Sequence, residues 1–231
     1  MRAQWGWGTN AAMSSELLLY VWDYNYSSWS MRAGLALRQT GAPFREVSVH
    51  GEGEDVAALK ALSPTGRFPL LKHGNEFIWD SLAIGEYLNE LFPEQGLWPA
   101  AANARAHARS MVAEMHSGFE TLRSALPMNI RKQYPGFPKT LAVRREITRI
   151  SQMWQACLDR FGGNGPFLFG AFSLADAFFA PVVMRFHSYD AELSPPLLAY
   201  TEAVRAQPFV NDWVARAQLD RRMAEAYEYE R

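Results

Sequence analysis

The chain changes character once, and that change constrains its fold more than any other feature. Up to about Leu91, short apolar runs of strand length alternate with segments of helical period. Beyond about Arg105 the pattern is helical throughout. Between them stands Phe92-Pro93-Glu94-Gln95-Gly96-Leu97-Trp98-Pro99, whose prolines and glycine read as a connector. Two units are therefore expected, over residues 13–92 and 100–231. With 231 residues, 48% of them apolar, the chain can furnish a core for both.

In the first unit a buried strand is expected over 16–22, then a polar, aromatic loop over 23–28 and a helix over 29–39. Gly41-Ala42-Pro43 stops that helix. An alternating strand over 44–49 and a short helix over 55–62 follow. Two short strands, 68–72 and 76–79, turn through His73-Gly74-Asn75, and a helix occupies 81–91. The first two strands are bridged by a helix and should be parallel; the last two should form an antiparallel hairpin. This order predicts an α/β thioredoxin-like N-terminal domain followed by an all-α C-terminal domain. In the latter, helices are expected at about 103–124, 139–161, 173–186, 195–206 and 208–218. The segment 173–186 is apolar on nearly every side and should be the central one.

Composition removes several function classes. A net charge of −1 leaves no basic excess for nucleic acid or for a polybasic membrane anchor. No run approaches the ~18 apolar residues of a membrane span. The single cysteine, Cys157, excludes an internal disulfide, a Cys-x-x-Cys pair and a thiolate zinc cage; a small apolar role on a helix and a cytoplasmic setting are expected. Residues 1–13 carry no apolar core of a signal peptide, and Gly6, Gly8 and Asn10 read as a loose lead-in, with Met13 a candidate start.

The strongest chemical signal is Asn25-Tyr26-Ser27-Ser28-Trp29-Ser30, where the first strand hands over to the first helix. A dithiol protein of this fold carries Cys-x-x-Cys there; Ser27 and Ser30 hold that spacing instead. A hydroxyl at a helix start can serve as a plain N-cap. It can also donate to a bound thiolate, which the free N–H groups and the helix dipole favour as well. Lowering a thiol pKa from ~8.5 to ~6.5 requires about 2.7 kcal/mol. A single charge-assisted hydrogen bond is worth ~1.5–3 kcal/mol, so a serine and a helix terminus suffice. Which of Ser27, Ser28 and Ser30 faces the sulfur stays open, with Ser27, the earliest, preferred.

Two further motifs flank this corner in sequence. In Gly66-Arg67-Phe68-Pro69-Leu70-Leu71, a proline entering a strand marks an edge, a bulge or a cis bond, or simply a trans turn. A cis Pro69 would leave the Phe68 main chain free to pair with an extended peptide-like ligand. In Trp79-Asp80-Ser81-Leu82-Ala83-Ile84, Asp80 and Ser81 open a helix and could also clamp the ammonium and carboxylate of an α-amino acid. Ser173-Leu174-Ala175-Asp176 reads as a structural capping box.

Together the serine corner, Gly-Arg-Phe-Pro-Leu-Leu, Asp-Ser-Leu-Ala-Ile, the proline-rich connector and Ser-Leu-Ala-Asp-Ala-x-x-Ala-Pro resemble the glutathione transferase superfamily, from about Glu16 to Arg216. The corner is most similar to the zeta class, which carries Ser-Ser-Cys-Ser with its first serine catalytic. Met115-His116-Ser117-Gly118-Phe119 looks zeta-like too. The resemblance implies glutathione as co-substrate and Ser27 as the catalytic hydroxyl. Glutathione contacts would come from Arg67, Phe68, Pro69, Asp80 and Ser81. It implies a small-molecule electrophile, a homodimer and no metal. For the second-substrate pocket the expected residues are Tyr24, Tyr26, Trp29, His116, Phe119 and Arg185. Trp29 replaces the zeta cysteine, Asp80 replaces a Glu or Gln, and Ser188 stands where zeta proteins carry an arginine, with Arg185 one turn earlier. Conjugation of a hydrophobic electrophile, or isomerisation, is the expected chemistry. A non-catalytic dimerisation or regulatory module is the alternative.

Overall fold

The structure is a computed structural model that describes residues 16–49, 54–163 and 165–229. The lead-in expected over residues 1–13 lies outside the described residues. A four-stranded sheet has the order β2-β1-β3-β4, with β1 (Leu17–Val21), β2 (Phe44–Ser48), β3 (Leu70–His73) and β4 (Glu76–Trp79). β1 runs parallel to β2, pairing Leu17 with Phe44, and antiparallel to β3, pairing Leu19 with Leu71. β3 and β4 form the hairpin. Gly74 takes the left-handed conformation its turn demands, at φ 61°. Leu17, Leu19 and Val21 are buried, so β1 is the spine of this thioredoxin-like half.

Helices α1 (Ser28–Gln39), α2 (Glu54–Leu62) and α3 (Ser81–Leu91) complete it. α1 is buried along nearly its whole length and packs against α3, β1 and two helices of the second half. The second half is helical: α4 (Ala102–Ser117), α5 (Glu120–Ala125), α6 (Leu141–Cys157), α7 (Leu174–Ser188), α8 (Pro195–Ala206) and α9 (Pro208–Leu219). α7, buried almost all round, lies against α1, α4 and α8 as the central helix. α9 also reaches α1. Gly34 makes that approach possible, because a Cβ there would collide with the Trp213 ring.

Three boundaries differ from the sequence expectation. The helix expected over 103–124 breaks after Ser117: a Cβ on Gly118 would stand 2.8 Å from Glu114 O, and Phe119 turns left-handed at φ 57° before α5 begins. The helix expected over 139–161 ends its α-form at Cys157 and finishes as a π-turn, Leu158–Gly162. The strand expected from Phe68 starts at Leu70 instead. Pro69 is cis and buried, and without an N–H it cannot donate to the ladder.

The capping box forms as read. Asp176, fully buried, accepts from Ser173 N at 2.9 Å, Ser173 Oγ at 3.0 Å and Leu168 N at 3.2 Å. Burial pushes its carboxyl up to about 6 against these bonds. Asp176→Ala leaves two buried main-chain donors unpaired and should cost about 2–4 kcal/mol in denaturant unfolding.

Candidate active site

The corner between β1 and α1 is held from both sides. Asp23 Oδ1 accepts from Asn25 N at 2.6 Å and Tyr26 N at 2.8 Å. The Asn25 side chain reaches the helical half, donating to Asn129 Oδ1 at 3.0 Å and accepting from Arg131 N at 2.9 Å. Ser27 is the N-cap of α1: its Oγ accepts from Ser30 N at 3.2 Å and donates to Ser30 Oγ at 2.8 Å. Ser30 is fully buried and accepts from Trp22 N at 3.1 Å, which ties it to the scaffold. Ser28 Oγ accepts from Arg185 Nη2 at 3.3 Å. Ser27 and Ser28 thus face open space, and Ser30 does not.

Two cavities meet here. One, of about 580 Å³, is bounded by Thr65, Pro69, Trp79, Asp80 and Ser81. The other, of about 630 Å³, is bounded by Tyr26, Ser27, Ser28, Arg123, Arg185 and Tyr227 among others. Trp29, Arg67 and Phe68 line both, so the two form one groove with the indole of Trp29 as partition. Each volume suits a small organic ligand of the ~300–1,000 Å³ class.

The first cavity carries a polar cluster at the start of α3. Asp80 sits at φ 75° and caps the helix, its Oδ1 accepting from Leu82 N at 2.8 Å and Ala83 N at 3.3 Å. Its Oδ2 meets His116 Nε2 at 3.2 Å. Burial raises the Asp80 carboxyl, but the His116 bond and the capping N–H groups outweigh it and hold the acid below its usual range. The Ser81 hydroxyl, buried and lining the cavity, has no hydrogen-bond partner among the described residues. Phe68 stands ahead of the ladder register, which begins at Leu70.

The second cavity has aromatic walls and a cationic floor. Arg185 is fixed by Leu126 O at 2.9 Å and Pro181 O at 3.3 Å. Burial, and then the neighbouring Arg123, bring it down to about 10, so it stays charged at neutral pH. The Arg123 guanidinium stands 5.2 Å from the Trp29 ring centre. Residues beyond α9 close one side: Tyr227 stacks on Tyr26 at 5.5 Å, and the Tyr26 hydroxyl bonds Glu228 and Arg131.

Of the residues expected in the second pocket, Tyr26, Trp29 and Arg185 line the cavity. Tyr24 does not: its hydroxyl donates to Glu46 Oε1 at 2.6 Å and its ring packs edge-on to Trp213 at 4.9 Å. His116 lies behind Trp29 on the Asp80 side, and Phe119 is in the core. Ser188 is buried and donates to Asn129 O at 2.8 Å. Sequence reasoning passed over Arg123, the tail residue Tyr227 and Arg32. An arginine at a central position of a buried helix was the one readable signal among them.

Two family models match the chain. That for the glutathione S-transferase N-terminal domain covers residues 21–96, and that for its C-terminal domain covers 140–216. A maleylpyruvate isomerase of Ralstonia sp is 30% identical over 78% of this chain and 89% of its own. A zeta-class glutathione S-transferase of Euphorbia esula is 30% identical over 82% and 87%. The chain belongs to the glutathione S-transferase family. Its likeness to zeta-class proteins extends to a probable maleylacetoacetate isomerase of Caenorhabditis elegans, 27% identical over 77% of this chain and 82% of its own. Among solved structures, a glutathione transferase homologue from Burkholderia gl BGR1 with bound glutathione superposes with a TM-score of 0.67 at 26% identity, covering 88% of this chain and 98% of that one. Among the described residues there is no cluster of metal-ligating side chains and no helix long and apolar enough to cross a membrane.

The placement of Tyr24 gives a direct check on this family member. Tyr24→Phe takes a hydroxyl from the buried Glu46 carboxylate, which Arg38 also holds at 2.9 Å. Stability should fall by about 1–2 kcal/mol in denaturant unfolding, with Michaelis constants unchanged.

Proposed function

We propose that this protein is a glutathione-dependent enzyme that holds glutathione in the cavity at Asp80 and Ser81, keeps its sulfur as thiolate at Ser27, and presents it to a small electrophile beside Arg123 and Arg185. The observation that carries this reading is that the cavity at Asp80 and Ser81, with its unpaired hydroxyl, adjoins through Trp29, Arg67 and Phe68 the cavity that Ser27 lines together with two guanidinium groups. The bound glutathione of the Burkholderia homologue supports the co-substrate.

The residues divide the work by charge. The Ser81 hydroxyl has a free donor for the γ-glutamyl carboxylate, and Asp80 is an ionised acceptor for its ammonium. The Phe68 main chain, ahead of the ladder, pairs with the cysteinyl unit, and Arg67, which lines both cavities, is a cation for the remaining carboxylate. Ser27 caps α1 with a lone pair, so its proton can swing from Ser30 Oγ to a thiolate without uncapping the helix. The helix terminus adds to the stabilisation.

The expected hydrophobic electrophile is refined by the cavity. Tyr26, Trp29 and Tyr227 suit a flat, unsaturated body; Arg123 and Arg185 suit an acid group on it. The thiolate adds to an electron-poor carbon, forming the S–C bond as the electron pair moves onto the activating group. Protonation completes a conjugation. Rotation about the new single bond and expulsion of the thiolate complete an isomerisation. The isomerase relatives favour the second outcome. We also read the protein as cytoplasmic and as a homodimer; sedimentation velocity on the full chain should give twice the 26.1 kDa mass.

Calorimetry with glutathione on the wild type, Ser27→Ala and Ser28→Ala, with the bound thiol titrated by thiolate absorbance, tests the site. The wild type should bind, and Ser27→Ala should raise the thiol pKa by about 1–2 units, the worth of one charge-assisted bond. A rise in Ser28→Ala alone moves the role to Ser28. No binding at millimolar glutathione sinks the enzyme reading and leaves a non-catalytic module. Arg185→Met should raise KM for an acidic electrophile roughly tenfold or more and leave KM for glutathione unchanged.

A further inference from the structure

Arg32 occupies a place that stability alone would give to an apolar residue. It lies in the middle of α1 with 0% exposure, and none of its three guanidinium nitrogens has a hydrogen-bond partner among the described residues. Its contacts are aromatic faces: the Trp29 ring centre at 4.5 Å and that of Phe178 at 5.3 Å. Cation–π contact offsets part of the desolvation, but it leaves every N–H unpaired. An apolar side chain of similar length would fill the volume without stranding those donors.

The charges around it make the imbalance sharper. Arg123 reaches toward it from α5 and Arg185 from α7, and both oppose its charge. Asp80, at the start of α3, is the carboxylate that favours it, and Asp80 is already engaged by its cap and by His116 of α4. The α9 charges, Asp212 and Arg216, pair with each other and with Arg38 of the last turn of α1 and Glu46 of β2. Arg123 and Arg185 line the second cavity together with Glu120, and Arg32 stands buried behind Trp29 with Asp80 as the carboxylate that favours its charge. Burial first, and then Arg185 and Arg123, push Arg32 down to about 9, which leaves it protonated at neutral pH.

We infer that Arg32 is a through-space electrostatic residue for the bound glutathione sulfur: from behind Trp29 it raises the positive potential at the serine corner without touching the ligand. It rests on the reading of this site as a glutathione site. Ser28 and Arg32 are four residues apart on one helix, hence on one face with their Cβ atoms about 6 Å apart. Trp29 and the burial of α1 keep water from between them, so the field is screened far less than at a surface. A thiolate at the serine corner is a further counter-charge to this cluster. Arg32 adds to Ser27 and the helix terminus a contribution that neither supplies, because it acts on charge rather than on a hydrogen-bond geometry.

The test is the pKa of the bound glutathione thiol, read by thiolate absorbance, in the wild type, Arg32→Met and Arg32→Lys. Arg32→Met should raise it by about one unit, a tenfold loss of thiolate on the acid side, and the acid limb of kcat/KM should move with it. Arg32→Lys should keep the wild-type value, since it keeps the charge and loses only the guanidinium plane. The thermal midpoint of Arg32→Met should equal or exceed that of the wild type, which a residue retained for packing would not allow. Should Arg32→Met fail to fold, Arg32→Gln carries the same titration. An unchanged thiol pKa in the neutral variant, or an equal rise in both variants, overturns the inference while leaving glutathione binding intact. A wild type that does not bind glutathione removes the site reading itself, and this inference with it.

Discussion

Everything at the site depends on the burial of α1. One side of this helix lies against β1 and α3, another against α7 and α9. Its first residues carry the serine corner, its middle carries Arg32, and its last turn carries Arg38. Because α1 packs on both halves of the chain, the corner is not a loop on a surface but the point where two layers close. The orientation of Ser27 and Ser28 follows from that packing: Asn25 pins the preceding loop to Asn129 and Arg131, and Arg185 of α7 bonds Ser28 directly.

The same contact explains why the groove is polar at one end and cationic at the other. The polar end belongs to the start of α3, where a capping aspartate and a buried serine come together by local chain geometry. The cationic end is assembled from α5 and α7 of the helical half. Trp29 stands between them, braced by two guanidinium groups and the edge of His116. A small residue there would merge the cavities; the indole keeps them distinct, with Arg67 and Phe68 as the other walls they share.

Much of this was legible in the residues. Ser81 to Leu91, the β4 strand and the Pro195 and Pro208 helix starts fall where their caps, turns and prolines predicted. Such signals are local, and local chemistry decides them. The misplacements share a cause. The break at Gly118 hid inside a strong helical period, and its force comes from a clash with Glu114 O that only the folded turn reveals. Tyr24 and Phe119 were expected at the pocket because they are aromatic and near the motifs. Yet a tyrosine two residues from Tyr26 along an irregular loop points elsewhere, to a carboxylate on β2.

The sequence by itself determined the order of elements, the serine corner in place of a dithiol, the Asp-Ser helix start and the buried central helix, because each is written within a few neighbouring residues. Only the tertiary structure decided which serines face the groove, that His116 serves Asp80 rather than the second pocket, and that Tyr227 forms a wall. It also decided that Arg32 and Arg185 are buried near Arg123 and oppose one another's charge. Those facts join residues tens to hundreds of positions apart. Their distances are set by how α1 packs against α7, and no local pattern encodes that packing.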